Sequence, residues 1–168
     1  MRQILAPLAL LALAAAPGRA DGVSFARVWP QWHDSDSFES YHEYRTGKEL
    51  VQDWIVMRSQ PGSRSGMYFL TRVENKGPAL ASATFTVRVI KPDSVETRVY
   101  AFPAAVPAGS RLFEIGLTGS DWASSRVLPV AWEVELRSQD GALLAETSSF
   151  LWEKPGPQAG PRGPDDRP

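Results

Sequence analysis

Val130-Ala131-Trp132-Glu133-Val134-Glu135-Leu136-Arg137-Ser138 decides the fold class of this chain. Val130, Trp132, Val134 and Leu136 alternate with Ala131, Glu133, Glu135 and Arg137. A period of two puts the apolar set on one face of a strand and the charges on the other. Thr84 to Lys91 repeats the pattern, with Phe85, Val87 and Val89 set against Thr84, Thr86 and Arg88. Ser110 to Leu117 opposes Phe113, Ile115 and Leu117 to Leu112 and Glu114. Met67 to Glu74 and Val95 to Phe102 are β-rich without being one-sided, and Gly22 to Trp29 and Leu50 to Arg58 read as two further strands.

Turn formers separate these runs: Asn75-Lys76-Gly77-Pro78, Pro92-Asp93-Ser94 and Pro107-Ala108-Gly109. Asp140-Gly141 is the strongest hairpin signal in the chain. A two-residue turn there pairs Leu136 with Ala145 and sends Leu144, Phe150 and Trp152 to the opposite face. A three-residue turn brings Leu144 inward together with Glu146. The two registers conflict unless a bulge intervenes. Short strands at this spacing predict an all-β chain, an antiparallel β-sandwich. One short helix is expected in the N-terminal segment. Asp36 can cap it with Glu39 three residues on, Thr46-Gly47 can end it, and Phe38 and Tyr41 would face inward.

The stretch from Tyr68-Phe69-Leu70 through Gly116-Leu117-Thr118-Gly119-Ser120-Asp121-Trp122 to Ala131-Trp132-Glu133-Val134 and Ser149-Phe150-Leu151-Trp152 resembles exported proteins of uncharacterised function that carry an immunoglobulin-like sandwich. The likeness covers about 85 residues and implies that fold, but it brings no catalytic residue to carry over. The cysteine pair of antibody domains is missing, which excludes an antibody-type domain. A shared fold does not convey function.

At the N-terminus, Arg2 precedes the apolar run Ile4 to Ala16, which Pro17, Gly18 and Arg19 break before a small Ala20. The run is shorter than the roughly 20 residues a spanning helix needs and fits a secretory signal peptide of residues 1–20. The expectation is therefore a β-sandwich domain over residues 21–154, periplasmic or secreted, with no membrane span after signal removal. Residues 155–168 hold five Pro and three Gly and read as a disordered tail. The leader holds two of the 18 basic residues and none of the 19 acidic ones, leaving a mature charge of −3. Lys and Arg are scattered singly between apolar residues, unlike the basic stripe of a nucleic-acid binder. There is no Cys, so no crosslink and no lipid-bearing thiol, and stability must come from packing of the Trp, Phe and Tyr side chains.

Three constellations bear on chemistry. Gly62-Ser63-Arg64-Ser65-Gly66 has the frame of a nucleophile elbow, but Arg64 stands where the elbow requires Ser, and a surface loop before a strand is the better reading. His33, Asp34, Asp36, Glu39, His42 and Glu43 supply metal-ligand types within a short segment. Phe38 and Glu39, however, fall where a calcium loop needs a ligand and a glycine, so no metal site or cofactor is expected. Trp29, Trp32, Phe38, Tyr41, Tyr44 and Trp54 crowd one N-terminal segment. Exposed, they would form a platform for a sugar or a partner; buried, they would fix that segment to the sheet. Trp32 and Tyr44, the two least needed for docking a helix, are candidate binding residues, as is Trp122 in the turn after Thr118-Gly119. The sequence thus points to a non-catalytic interaction or structural module, not an enzyme, whose partner is another envelope or extracellular protein or a glycan. Carbohydrate recognition by the aromatic segment is the alternative, and a metal-assisted enzyme the third reading.

Overall fold

Strands form where the alternation places them. The computed structural model describes residues 22–35 and 54–152. It contains β1 (Val23–His33), β2 (Trp54–Arg58), β3 (Gly66–Asn75), β4 (Leu80–Ile90), β5 (Thr97–Val106), β6 (Gly109–Thr118), a 3-10 turn η1 (Gly119–Asp121), β7 (Ala131–Ser138) and β8 (Leu143–Ser148). Two four-stranded sheets result: sheet A in the order β1-β3-β6-β2 and sheet B in the order β5-β4-β7-β8. The expected helix, with Phe38, Tyr41, His42 and Tyr44, lies outside the described residues, as do the leader and the Pro-rich tail. No helix among the described residues is long and apolar enough to cross a membrane.

The inner faces of the sheets meet in one apolar core. Met67, Phe69 and Val73 of β3 and Phe113, Ile115 and Leu117 of β6 face Phe85, Val87 and Val89 of β4 and Val134 and Leu136 of β7. Phe85 sits 4.9 Å, centroid to centroid, from Phe113. Trp132 meets Phe69 edge-on at 5.7 Å. Such offset ring pairs add roughly 0.5–1.5 kcal/mol beyond the area they bury. Trp132 is on the expected face but only half-buried, because it lies near the start of β7 at the sheet's end.

Four features depart from the sequence reading. First, the pairing is not antiparallel throughout: β2 runs parallel to β6, with Trp54 opposite Leu112 and Arg58 opposite Gly116. Second, β5 continues through Pro103; it is an edge strand, where a missing donor is tolerated. Third, the β7–β8 register is settled by a bulge. Leu136 pairs with Ala145 while Arg137 pairs with Leu143, so Leu144 is the extra residue, and both Leu144 and Ala145 enter the core. Fourth, Glu133 and Glu135 point outward but are buried, because Arg88 bridges them at 2.7 and 2.9 Å and Arg137 Nε reaches Glu135 at 2.9 Å.

Candidate functional site

Two of the three candidate binding residues, 90 positions apart in sequence, line one hollow. Trp32 near the end of β1 and Trp122 after η1 border a cavity of about 190 Å³ with Ser63, Arg64, Ser65, Gly119 and Ala123. It lies at the end of the sheets where β1 stops, β3 starts and β6 runs into η1. The third candidate, Tyr44, lies outside the described residues.

The walls are held in place by hydrogen bonds between two loops. Gln60 N donates to Thr118 Oγ1 at 3.1 Å, and that hydroxyl donates back to Gln60 O at 3.0 Å. Thr118 N donates to Ser59 Oγ at 3.0 Å, and Gly119 N to Ser65 O at 3.2 Å. The Tyr68 hydroxyl donates to Arg64 O at 2.6 Å and accepts from Arg58 Nε at 2.9 Å. Gly119 makes this approach possible: its φ is +59°, and a Cβ there would stand 2.5 Å from Gln60 Oε1 and 2.8 Å from Ser63 Oγ.

Trp122 is 1 % exposed. Its Nε1 donates to Val127 O at 2.9 Å, and Lys91 Nζ lies 4.7 Å from its ring centroid while donating to Asp121 O. Burial, reinforced by Arg98, lowers the Lys91 pKa against the pull of Asp93 and Asp121. Trp122 therefore plugs the end of the core and gives the hollow a rigid floor. Trp32 is half-buried and packs against the core, so it is a wall with one face in the packing rather than a free platform. Arg64 is exposed at the rim.

His33, next along β1, points to the opposite side of the strand from Trp32 and sets its ring 5.0 Å from that of Tyr68. Burial lowers its pKa against the opposing pull of Asp34. Of the six residues of metal-ligand type in the His33–Glu43 segment, only His33 and Asp34 are among the described residues. The group of carboxylates that does converge among the described residues is Glu133, Glu135 and Glu146 on the outer face of sheet B, with ligand atoms within 4.8 Å of one another. Arg88 and Arg137 already occupy it. Burial pushes the Glu135 carboxyl up, but its bonds to Arg137 and Arg88 outweigh that and hold it below the usual range. The chemistry of this group is an ion-pair network.

The sequence marks Gly62–Gly66 as a surface loop with only the frame of a nucleophile elbow, and nothing local in it signals that Ser63, Arg64 and Ser65 wall the hollow. The one usable sign was Gly119, a left-handed glycine directly before the Trp122 turn. No family model matches the chain, and no curated protein or solved structure is significantly similar to it.

Proposed function

We propose that this chain is a non-catalytic binding module of the cell envelope or secretome, exported by its leader and built on an immunoglobulin-like sandwich. The strand order supports that fold. β1-β3-β6 beside β5-β4-β7-β8 follows the A-B-E and C′-C-F-G order of immunoglobulin sheets, with β2 in the place of the fourth strand of the first sheet.

The observation that carries the binding reading is the convergence of Trp32, Trp122 and Arg64 on one hollow whose loops are mutually hydrogen-bonded. At about 190 Å³ it is smaller than the roughly 300–1,000 Å³ of sites that enclose a whole small molecule. It suits a single group of a larger partner, an anchoring side chain on another envelope or extracellular protein. Tryptophan and arginine are the residue types that dominate such anchor sites. An indole wall beside serine hydroxyls and a guanidinium also favours a second reading, the terminal ring of a glycan.

The test is to screen the mature chain against peptide and glycan libraries, then to repeat the binding with Arg64→Glu. Arg64 is exposed and outside the core, so the melting temperature should not move while binding falls at least about ten-fold, the loss of a good anchor contact. Binders indifferent to Arg64→Glu and to Trp32→Phe would place the site elsewhere and overturn the proposal. A hit confined to glycans would select the second reading.

A further inference from the structure

Sheets accept new strands at their edges, and the four edges of this sandwich are guarded unequally. β1 is interrupted by Pro30 and by the bulge between Phe25 and Arg27. β2 has five residues and β8 six. β5 has ten, and among the described strands nothing pairs with its free side. Its outward row is exposed and uncharged through Thr97, Val99 and Ala101, with no lysine and no bulge in that stretch.

The registers fix which backbone groups this edge presents. Ser149 N donates to Trp132 O, so Trp132, Val134 and Leu136 turn their backbone groups to β8, while Glu133 and Glu135 turn theirs to β4. Glu133 pairs with Arg88 and Glu135 with Thr86, and Val87 between them faces Tyr100 of β5. Val99 and Ala101 on either side of Tyr100, and Thr97 in step with them, therefore hold their N–H and C=O groups at the open edge. Pro103 is in the same phase, which is why its missing N–H costs the β4–β5 ladder nothing.

The row also determines what fits it. A foreign strand added to an edge draws its specificity from pockets for alternate side chains. Here Val99 and Ala101 stand beside Arg88 and Thr86 of β4, and Arg88 is turned to Glu133 and Glu135, so the row is flat. A second β5, equally small and uncharged, meets it without repulsion. A two-fold axis through Val99 sets Val99 against Val99, Thr97 against Ala101 and Arg98 against Tyr100. Pro103 then stays outside the Thr97–Ala101 ladder, whereas an axis through Ala101 would set it against Val99 and lose a bond on each side. Val95 and Val99, 95 and 58 % exposed, both come under cover in the Val99-centred pairing.

We propose that two copies of this chain pair β5 to β5, antiparallel about Val99, joining their B sheets into one. This goes beyond the binding reading and does not depend on it. The contact is isologous and consumes the long open edge of both copies, so it closes at two. Its short ladder puts it with the small interfaces, below about 1,200 Å², that serve weak and transient pairs.

Sedimentation equilibrium of the purified chain should show monomer and dimer and no larger species. Val99→Lys and Val99→Glu each set like charges opposite one another, so each should weaken the dimer at least about ten-fold, and an equimolar mixture of the two should restore it. Val99 is exposed, so neither change touches the core. The cysteine-free chain lets introduced thiols report the register. Facing residues in such a ladder lie about 5.5 Å apart between Cα atoms, within disulfide reach. With diamide as oxidant, Thr97→Cys mixed with Ala101→Cys should crosslink at least about ten-fold faster than either variant alone, whose two thiols sit four residues out of register. A chain that stays monomeric up to about 1 mM overturns the proposal and leaves the edge to a foreign strand. So does a dimer indifferent to both charges at Val99, or one in which either cysteine variant alone crosslinks as fast as the mixture.

Discussion

Gly116 shows how a single residue sets the outer face of sheet A. A Cβ there would stand 2.5 Å from Tyr68 Cε1, so the phenol lies across β6 only because nothing projects from that position. Gly116→Ala should destabilise the protein by about 1–3 kcal/mol, as overpacking does, read as a shift in the denaturant midpoint at unchanged slope. Beside it, burial raises the Glu114 pKa against the nearby Arg58. The folded state therefore holds this proton more tightly than the unfolded chain does. Its stabilising contribution is complete below the ordinary carboxylate range and is lost as pH rises through the raised folded value. Glu114→Gln should raise the melting temperature at neutral pH and leave it unchanged in acid. Glu135 has the opposite sign. Its lowered pKa gives stability that is present above the ordinary range and lost as pH falls through the folded value. Glu135→Gln should accordingly lower the neutral melting temperature, with the difference fading in acid. Melting curves of the two variants from acid to neutral pH check both signs.

Among the elements, β5 is the exposed edge of sheet B, and Val99, Ala101, Pro103 and Ala105 form its outward row. Val99 is 58 % exposed. An uncovered strand with apolar side chains is a template for edge-to-edge pairing, which a lysine on the solvent side opposes. Val99→Lys should reduce light scattering at high concentration without lowering the melting temperature; unchanged scattering would show that this edge is not where copies meet. The elements differ in how far sequence exposes them. β4, β6 and β7 are legible because one face of each enters the core and the other bears Thr, Arg or Glu. β3 is ambiguous in sequence because Tyr68 and Leu70 are buried on its outer face as Met67 and Phe69 are on its inner one. The β8 register is hidden because it turns on one bulged residue, Leu144, whose insertion no alternation records. The parallel β2–β6 pairing is hidden for another reason: it joins residues nearly sixty positions apart and depends on the whole sheet being assembled. The hollow is legible only in its tryptophans. Ser63 and Arg64 reach it through bonds between loops, Gln60 with Thr118 and Ser65 with Gly119, that carry no local signature.

For the molecule as a whole, the two sheets are unlike in how their neighbours are joined. Among the described strands, sheet B contains two hairpins, β4–β5 and β7–β8, whereas no two strands adjacent in sheet A are consecutive in the chain. This asymmetry sets an order of assembly. Hairpins close over short loops, while each pairing in sheet A must first bring distant segments together at a larger loss of chain entropy. Folding should therefore begin in sheet B, with sheet A condensing on it, and run on the millisecond-to-second scale of non-local β proteins. Stopped-flow chevrons read this directly. Val134→Ala in β7 should mainly slow refolding, and Ile55→Ala in β2 should mainly speed unfolding. Equal partition of the two changes between the limbs would rule out a sheet B nucleus. Until β2 pairs with β6, that strand presents an edge of unpaired backbone N–H and C=O groups. The interval before β2 docks is then the moment when the folding chain is most exposed to self-association and to proteases.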